Sequence, residues 1–332
     1  MIKVGIIGFG KMGQIRYDSI VNRSDINIVA ISEPNKDIVV PTNLRVETAE
    51  EIIRRSDVDA IFICTPNAFN KTYTIQSLDE NKNVFCEKPP AFTAKDVSEI
   101  IDHETKSNKK LMYGFNHRHH DSIIHMKSLI DSGVFGKVLW MRGRYGKSVN
   151  KAFYNNWRAK KAMSGGGIFI DQGIHMLDLF MHLTGEFDVV KSLVSNLYWK
   201  LDVEDNVFAI FENTKSGVTA SLHSTMTQWR HLFSLEVFLE KGHVTLNGLV
   251  TPSGAYGSEE LSIAENRTIA PAATLSKREL ITYKVDNSWS SEADHFINAI
   301  KNDTAINIGN SFDALRLMRM IDKVYDKGEI DG

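Results

Sequence analysis

"IKVGIIGFGKMG", residues 2 to 13, is a β-branched run that breaks into closely spaced glycines. Gly8, Gly10 and Gly13 satisfy G-x-G-x-x-G directly after a strand-like segment and at the mouth of a helical one, the setting in which that spacing carries weight. Gly8 allows the tight turn, Gly10 lets a pyrophosphate approach the backbone, and Gly13 lets helix pack on strand, with phosphates held by the free N–H groups of the helix start. Alone, the glycines also fit an ordinary strand-to-helix turn. Glu33, at the end of the second run "INIVAIS", adds an acid where a ribose would lie. A carboxylate there takes both hydroxyls and repels a 2'-phosphate; Lys36 is near, but no arginine follows closely. The combination predicts a dinucleotide site, with NAD favoured over NADP.

Outward from that stretch, the first 118 residues alternate strand-like runs with segments of helical period. The runs are "IKVGII", "INIVAIS", "NLRVE", "DAIFICT", "NVFCE" and "KLMYGF"; between them lie "QIRYDSIVNR", "AEEIIRRS", "NKTYTIQSLDEN" and "TAKDVSEIIDHETKSN". Such alternation predicts right-handed crossovers and a doubly wound parallel sheet covered on both faces, with 1–118 as an NAD(P)-binding Rossmann domain. Later the texture changes. "VVKSLVSNLYW", "GVTASLH" and "FSLEVFLEKGHVTLNG" follow one another through the turns "ENTKSG" and "EKG", which reads as antiparallel hairpins. "SGAYGSEELSIAENRTIAPAATLSK" reads as irregular surface, helical segments over 290–301 and 311–327 close the chain, and 119–332 is expected to form a second α/β domain.

A chain of 332 residues is long enough for two cores. Its 39 basic and 41 acidic residues leave a net charge of -2 without long runs of either sign, which argues against nucleic-acid or membrane partners and for small molecules. Cys64 and Cys86 each end a strand-like run, as small core hydrophobes in a reducing compartment would. The first strand-like run starts at residue 2, and no apolar stretch reaches membrane-spanning length, so a cytoplasmic location is expected.

"NVFCEKPPAF", residues 83 to 92, places Lys88 where the fifth parallel strand would end, at the edge where open α/β sheets bind ligands. Pro89 and Pro90 restrict the backbone beneath a mobile cation. A partly dry pocket beside a nicotinamide would depress the amine's pKa toward neutrality. The bland reading is a solvated lysine in a proline turn. A second constellation lies in "GGGIFIDQGIHMLDLFMHL", residues 165 to 183, where Asp171, His175, Asp178 and His182 recur at helical spacing on one expected face among large apolar residues. The same stripe fits the wet side of an amphipathic helix, and a metal site lacks an obvious third ligand of matched spacing, so no metal is assigned.

With these residues in view the chain resembles the Gfo/Idh/MocA oxidoreductases, named for glucose-fructose oxidoreductase and inositol dehydrogenase. The resemblance spans essentially the whole chain and rests on "GFGKMG" at 8–13, "CTPN" at 64–67, "EKP" at 87–89, "GFNHR" at 114–118, "WR" at 157–158 and "GGGIFIDQGIHMLD" at 165–178. It implies a Rossmann domain followed by an α/β domain with a large open, mostly antiparallel sheet whose exposed face forms homodimers or homotetramers, so that 119–332 would bind substrate and oligomerise. It implies that Phe9, Lys11 and Met12 join the glycines, Glu33, Thr65, Pro66, Asn67 and Glu87 in the cofactor pocket. Lys88 would sit beside the nicotinamide across an often cis Lys88–Pro89 peptide, and Asp171 and His175 would complete the catalytic group. Asn116, Arg118, Trp157 and Arg158 would face the substrate, although "WRAKKAM" and "NHRHH" also fit a solvated loop and a polar junction. One departure stands out: members often carry a histidine three residues beyond the asparagine of "TPN", and this chain has Asn70.

The function expected is reversible oxidation of a secondary alcohol on a sugar, polyol or nucleotide sugar. His175 would be the base, Lys88 would polarise the oxygen, and Asp171 would orient the imidazole or bind a hydroxyl; the roles of His175 and Lys88 are exchangeable. Two other classes stay open: a glycosidase or lyase with an internal redox cycle on tightly held NAD, and a noncatalytic NAD-binding sensor.

Overall fold

The computed structural model describes residues 1–42, 44–266 and 278–327. The opening run forms β1 (Ile2–Ile7), whose last four residues are buried because a central parallel strand is covered on both faces. The chain then alternates as the sequence predicts, through α1 (Lys11–Ile20), β2 (Ile26–Ser32), β3 (Arg45–Val46), α2 (Ala49–Arg54), β4 (Ala60–Ile63), α3 (Asn70–Asp79), β5 (Asn83–Glu87), α4 (Ala94–Ser107) and β6 (Leu111–Gly114). Capping boxes start α2 and α4: Thr48 with Glu51 and Thr93 with Asp96 satisfy N–H groups that have no partner within the helix. The strands pair in parallel in the order β3-β2-β1-β4-β5-β6. Chain direction across the sheet reverses between β1 and β4, so the carboxyl ends of those strands flank the crevice where such sheets take ligands.

From residue 117 the chain builds α5 (Asp121–Asp131), β7 (Val138–Ser148), α6 (Lys161–Ser164), α7 (Ile174–Thr184), β8 (Val189–Ser195), β9 (Asn206–Glu212), β10 (Thr219–Thr225), β11 (Thr227–Leu239), β12 (Gly242–Asn247), β13 (Glu259–Glu265) and β14 (Glu279–Tyr283). Their eight-stranded sheet runs β14-β13-β12-β11-β7-β10-β9-β8, and among its described pairings only β7–β10 is parallel. The long strand β7 was not read from the sequence. The stretch read as irregular surface is corrected in part: residues 259–265 form β13, and 267–277 lie outside the described residues. Alternation decides the two faces. Val207, Ala209 and Phe211 of β9 and Met141 and Tyr145 of β7 turn inward, beneath α7, while Phe208, Ile210, Leu193 and Trp140 turn outward.

The last helices, α8 (Ser288–Asn302) and α9 (Ser311–Lys327), do not both stay with the second half. Among the described residues, those within 1–116 and 288–319 form one compact unit, and those within 117–287 together with 320–327 form the other, which corrects the expectation that 119–332 is continuous. The reason is apolar packing: Ala293, Phe296 and Ile297 of α8 are buried in one cluster with Val4, Ile6, Phe62 and Phe85. Phe296 stands edge-on to Phe62 at 5.5 Å between ring centroids.

Within this first unit Arg16 of α1 is fully buried. Its Nε donates to Glu87 Oε1 at 2.6 Å and its Nη2 lies 2.7 Å from Glu292 Oε2, while its guanidinium stacks over Phe85 and Trp289. Burial opposes the charge, but Glu292 and Glu87 outweigh it and raise the pKa further. Arg16→Met would leave two buried carboxylates without their cation. The expected loss is about 3–5 kcal/mol of unfolding free energy in urea titration, and a loss under about 1 kcal/mol would contradict the ion cluster's structural role.

Candidate active site

In the first unit, Gly8 has φ +88°, and a Cβ there would lie 2.7 Å from the Cys64 carbonyl oxygen. A Cβ on Gly13 would meet the Gly8 carbonyl oxygen at 2.1 Å, so the helix start folds directly onto the turn. Gly10 differs: a Cβ there meets nothing within 4 Å, leaving its backbone open to a ligand. Gly10 caps α1 without a side-chain hydrogen bond, and no acid occupies the first turn, so the N–H groups around Lys11, Met12 and Gly13 have the polarity that suits an anion. The Phe9 N–H donates to Glu33 Oε2 at 2.7 Å, and the Asn35 N–H to Oε1 at 2.8 Å, which fixes the carboxylate beside the glycine turn. These residues fit a dinucleotide's pyrophosphate and ribose.

Lys88 follows β5 directly, is half-buried and precedes a cis peptide to Pro89. The carboxylate of Glu87, expected in the cofactor pocket, is taken up by Arg16. Thr65, Pro66 and Asn67 follow β4, and Asn67 opens a short 3-10 turn. Asn70, the first residue of α3, is fully buried; its Nδ2 donates to the carbonyls of Glu87 and Pro89 at 3.2 and 2.8 Å, and its Oδ1 accepts from the Thr65 hydroxyl at 3.1 Å. Asn116, expected at the substrate, is buried and donates to Ser288 Oγ at 3.2 Å.

In the second unit, the helix carrying Asp171 and His175 starts with a π turn, Phe169–Gly173, and becomes α7 only at Ile174. The wider turn breaks the single polar face expected of regular helical spacing. Asp171 pairs with Lys147 of β7 and with Arg158 Nε at 3.3 Å, and Arg158 itself stacks on Trp157 at 4.2 Å. His175 stacks on His117 with ring centroids 3.9 Å apart, and His117 Nε2 lies 3.0 Å from the Tyr145 hydroxyl. Tyr145 is edge-on to Tyr256, whose hydroxyl meets the Gln172 amide; burial first, then Tyr256, pushes the Tyr145 pKa well up, so its hydroxyl stays protonated. Asp178 lies in a buried bidentate pair with Arg118, at 2.8 and 2.6 Å. Arg118 therefore holds α7 through this pair.

Two family descriptions match the chain: "Oxidoreductase family, NAD-binding Rossmann fold" over residues 2–115 and "GFO/IDH/MocA C-terminal domain" over 123–245. The chain belongs to the Gfo/Idh/MocA oxidoreductase family. A D-glucoside 3-dehydrogenase of Escherichia coli (strain K12) is 26% identical over 243 residues, 65% of this chain and 68% of the relative. A myo-inositol 2-dehydrogenase of Thermotoga maritima is 28% identical over 193 residues, 56% of this chain and 55% of the relative. The crystal structure of an aldose-aldose oxidoreductase from Caulobacter crescentus, 24% identical, superposes with a TM-score of 0.81 over 98% of this chain and 97% of its own. The likeness in fold thus spans both units.

Relative to the Gfo/Idh/MocA resemblance read from the sequence, the site gains residues that the motifs did not flag. His117 lies inside the quoted "NHRHH" tract but was given no role, and Lys147, Tyr145, Gln172 and Tyr256 carried no signal beyond their residue types. Glu204 is another. Its buried carboxylate accepts from the N–H groups of Gly167 and Phe169 at 2.7 and 3.0 Å and from the Tyr325 hydroxyl at 2.9 Å, anchoring the entry to the π turn. Burial raises its pKa even though those donors favour the ion. The folded chain thus disfavours the carboxylate more than the unfolded chain does. The group's contribution to stability is complete below about pH 4, the ordinary unfolded value, and is lost as pH rises through the raised folded value. Glu204→Gln removes that titration, so the stability advantage of wild type over the variant should shrink as pH rises above the ordinary carboxylate range in denaturant titrations. A pH-independent difference would show that Glu204 does not titrate in this way.

Proposed function

We propose that this protein transfers a hydride between a nicotinamide dinucleotide and a secondary alcohol, or the matching ketone, of a sugar, polyol or nucleotide sugar. The observation that carries the reading is the open glycine and uncapped helix start beside a fixed Glu33, a set suited to a pyrophosphate and an unphosphorylated ribose. The names of the glucoside and inositol dehydrogenase relatives support the substrate class.

The bound dinucleotide supplies the hydride chemistry. Thr65, Pro66 and Asn67 line its pocket, and Glu33 engages the ribose hydroxyls and opposes a 2'-phosphate, which makes NAD the preferred cofactor. Lys88 polarises the substrate oxygen, and His175 takes or returns the hydroxyl proton. Asp171, paired with Lys147 and Arg158, accepts a hydrogen bond from a neighbouring substrate hydroxyl. Trp157 and Arg158 bound the sugar on one side.

The test is a panel of myo-inositol, free aldoses and D-glucosides with NAD and with NADP, following the absorbance of the reduced nicotinamide. Turnover with NAD, at a higher kcat/KM than with NADP, is expected. Lys88→Ala should keep NADH affinity within about threefold and lower kcat by about 100-fold or more. Near-normal turnover would remove Lys88 from the chemistry. Sugar conversion without net reduced cofactor would replace the dehydrogenase reading with an internal redox cycle, and NAD binding without turnover on any member would favour a sensor.

The outward face of the eight-stranded sheet carries Leu193, Phe208, Ile210 and Trp140, all exposed, which supports a second copy of this chain as its partner in a homodimer or homotetramer. Light scattering should give a multiple of the 37.4 kDa chain mass, and Ile210→Glu should lower it. A wild-type monomer would sink the assignment.

A further inference from the structure

Asn70 stands where the family's pattern carries a histidine, and the bonds it makes give that difference a use. It opens α3, has no exposed surface, and reaches the exit of β5. A side-chain amide has two N–H donors and one carbonyl acceptor. Here both donors go to backbone carbonyls, Glu87 at 3.2 Å and Pro89 at 2.8 Å, and the acceptor takes the Thr65 hydroxyl at 3.1 Å. The network fixes the amide's orientation, because a flipped group would set its oxygen against two carbonyl oxygens.

The two carbonyls belong to the residues on either side of Lys88. One planar amide therefore fastens the backbone before and after the lysine, and through Thr65 joins it to the turn that follows β4. A lysine side chain has many rotamers, and the scaffold controls chiefly the direction in which its Cα–Cβ bond leaves the backbone. An imidazole, with two ring nitrogens, could not make the same three bonds.

We propose that Asn70 is a positioning residue: it sets the direction of the Lys88 amine by clamping the carbonyls of Glu87 and Pro89, the residues on both sides of it, and it holds the Thr65 hydroxyl to the same clamp. The inference rests on the reading that Lys88 takes part in the chemistry. Asn70 touches no reacting atom in this scheme. Its effect is on kcat, because misplacing a catalytic group by a fraction of an ångström weakens the transition state while leaving remote cofactor contacts in place.

Two variants test it. Asn70→Ala removes the clamp; Asn70→Asp keeps the shape but offers no donor when ionised and one O–H donor when protonated. Both are expected to lower kcat by about tenfold or more with NADH affinity within about threefold, and Asn70→Asp should recover part of its kcat, relative to Asn70→Ala, as pH falls. A readout independent of turnover is acetylation by acetic anhydride, followed by mass spectrometry. In the cofactor-free protein, Lys88 should react about threefold or more faster, relative to the exposed Lys95, in Asn70→Ala than in wild type, because its backbone is released. Thermal midpoints of both variants identify simple unfolding, in which NADH affinity and kcat would fall together and the proposal would fail. If Lys88→Ala abolishes turnover while both Asn70 variants keep kcat within about twofold, the clamp is overturned and the role of Lys88 stands. If Lys88→Ala itself turns over normally, Lys88 is out of the chemistry and the clamp falls with it, while the dehydrogenase reading stands.

Discussion

A single buried cation holds together the helix after the glycine turn, the strand end before Lys88 and the returning helix α8 of the first unit. Arg16 lies on α1, the helix that starts at the glycine turn; Glu87 is the last residue of β5, immediately before Lys88; Glu292 lies on α8. All three side chains are buried or nearly so, and a Cβ on Gly114 would come within 2.9 Å of the guanidinium. Such a cluster is weak evidence for stability, because apolar residues of equal volume pack as well without a desolvation penalty. What it provides is registry. A planar guanidinium bonded to Glu87, ion-paired with Glu292 and lying over Phe85 and Trp289 admits one arrangement of helix start, strand end and returning helix. The Asn70 amide works on the same strand end from the other side, so the residues around Lys88 are fixed through both side chain and backbone.

The first unit was legible in the sequence wherever function resides in backbone close along the chain. The glycine turn, Glu33 and the strand-helix alternation are local, and each follows from the period of its segment. The strand end carrying Lys88 was readable for the same reason. The Arg16 cluster was not, since Glu292 is distant in the chain and nothing in "SWSSEADHFINAI" says which acid turns inward. The return of 288–319 to the first unit was hidden likewise: an amphipathic helix announces that it has an apolar face without naming the core that receives it.

In the second unit the hairpins after residue 186 were readable, whereas β7 and β13 were missed. "VLWMRGRYGKS" presents Arg142 and Arg144 outward and has glycines at 143 and 146, so its alternation is diluted although Met141 and Tyr145 are fully covered. In β13 the glutamates at both ends mask a short apolar centre, and Glu259 is itself buried, bonded to His120 and Ser122. The π turn escaped because periodicity assumes a constant advance per residue. Gly173 next to Phe169 permits the wider turn, since a Cβ there would lie 2.4 Å from the Phe169 ring. Asp171 consequently meets Lys147 and Arg158 while His175, one turn on, meets an aromatic ring system.

That ring system is held by its neighbours in sequence. His117 is followed by Arg118, and His175 is followed one helical turn later by Asp178, so the stack and the ion pair form two adjacent rungs between the same two segments. A bidentate fork fixes both the distance and the rotation of α7 against the 117–119 turn, which a point charge such as lysine would not. The stack inherits that rotation, and the His117 contact to Tyr145 adds a third attachment, to the sheet. Arg118 and Asp178 thus matter to the histidines through the backbone they fix, and an imidazole so constrained presents the same edge in every molecule. Preorganisation of this kind, built from a buried pair of little net stability, is what a proton-transferring group on a rigid element requires.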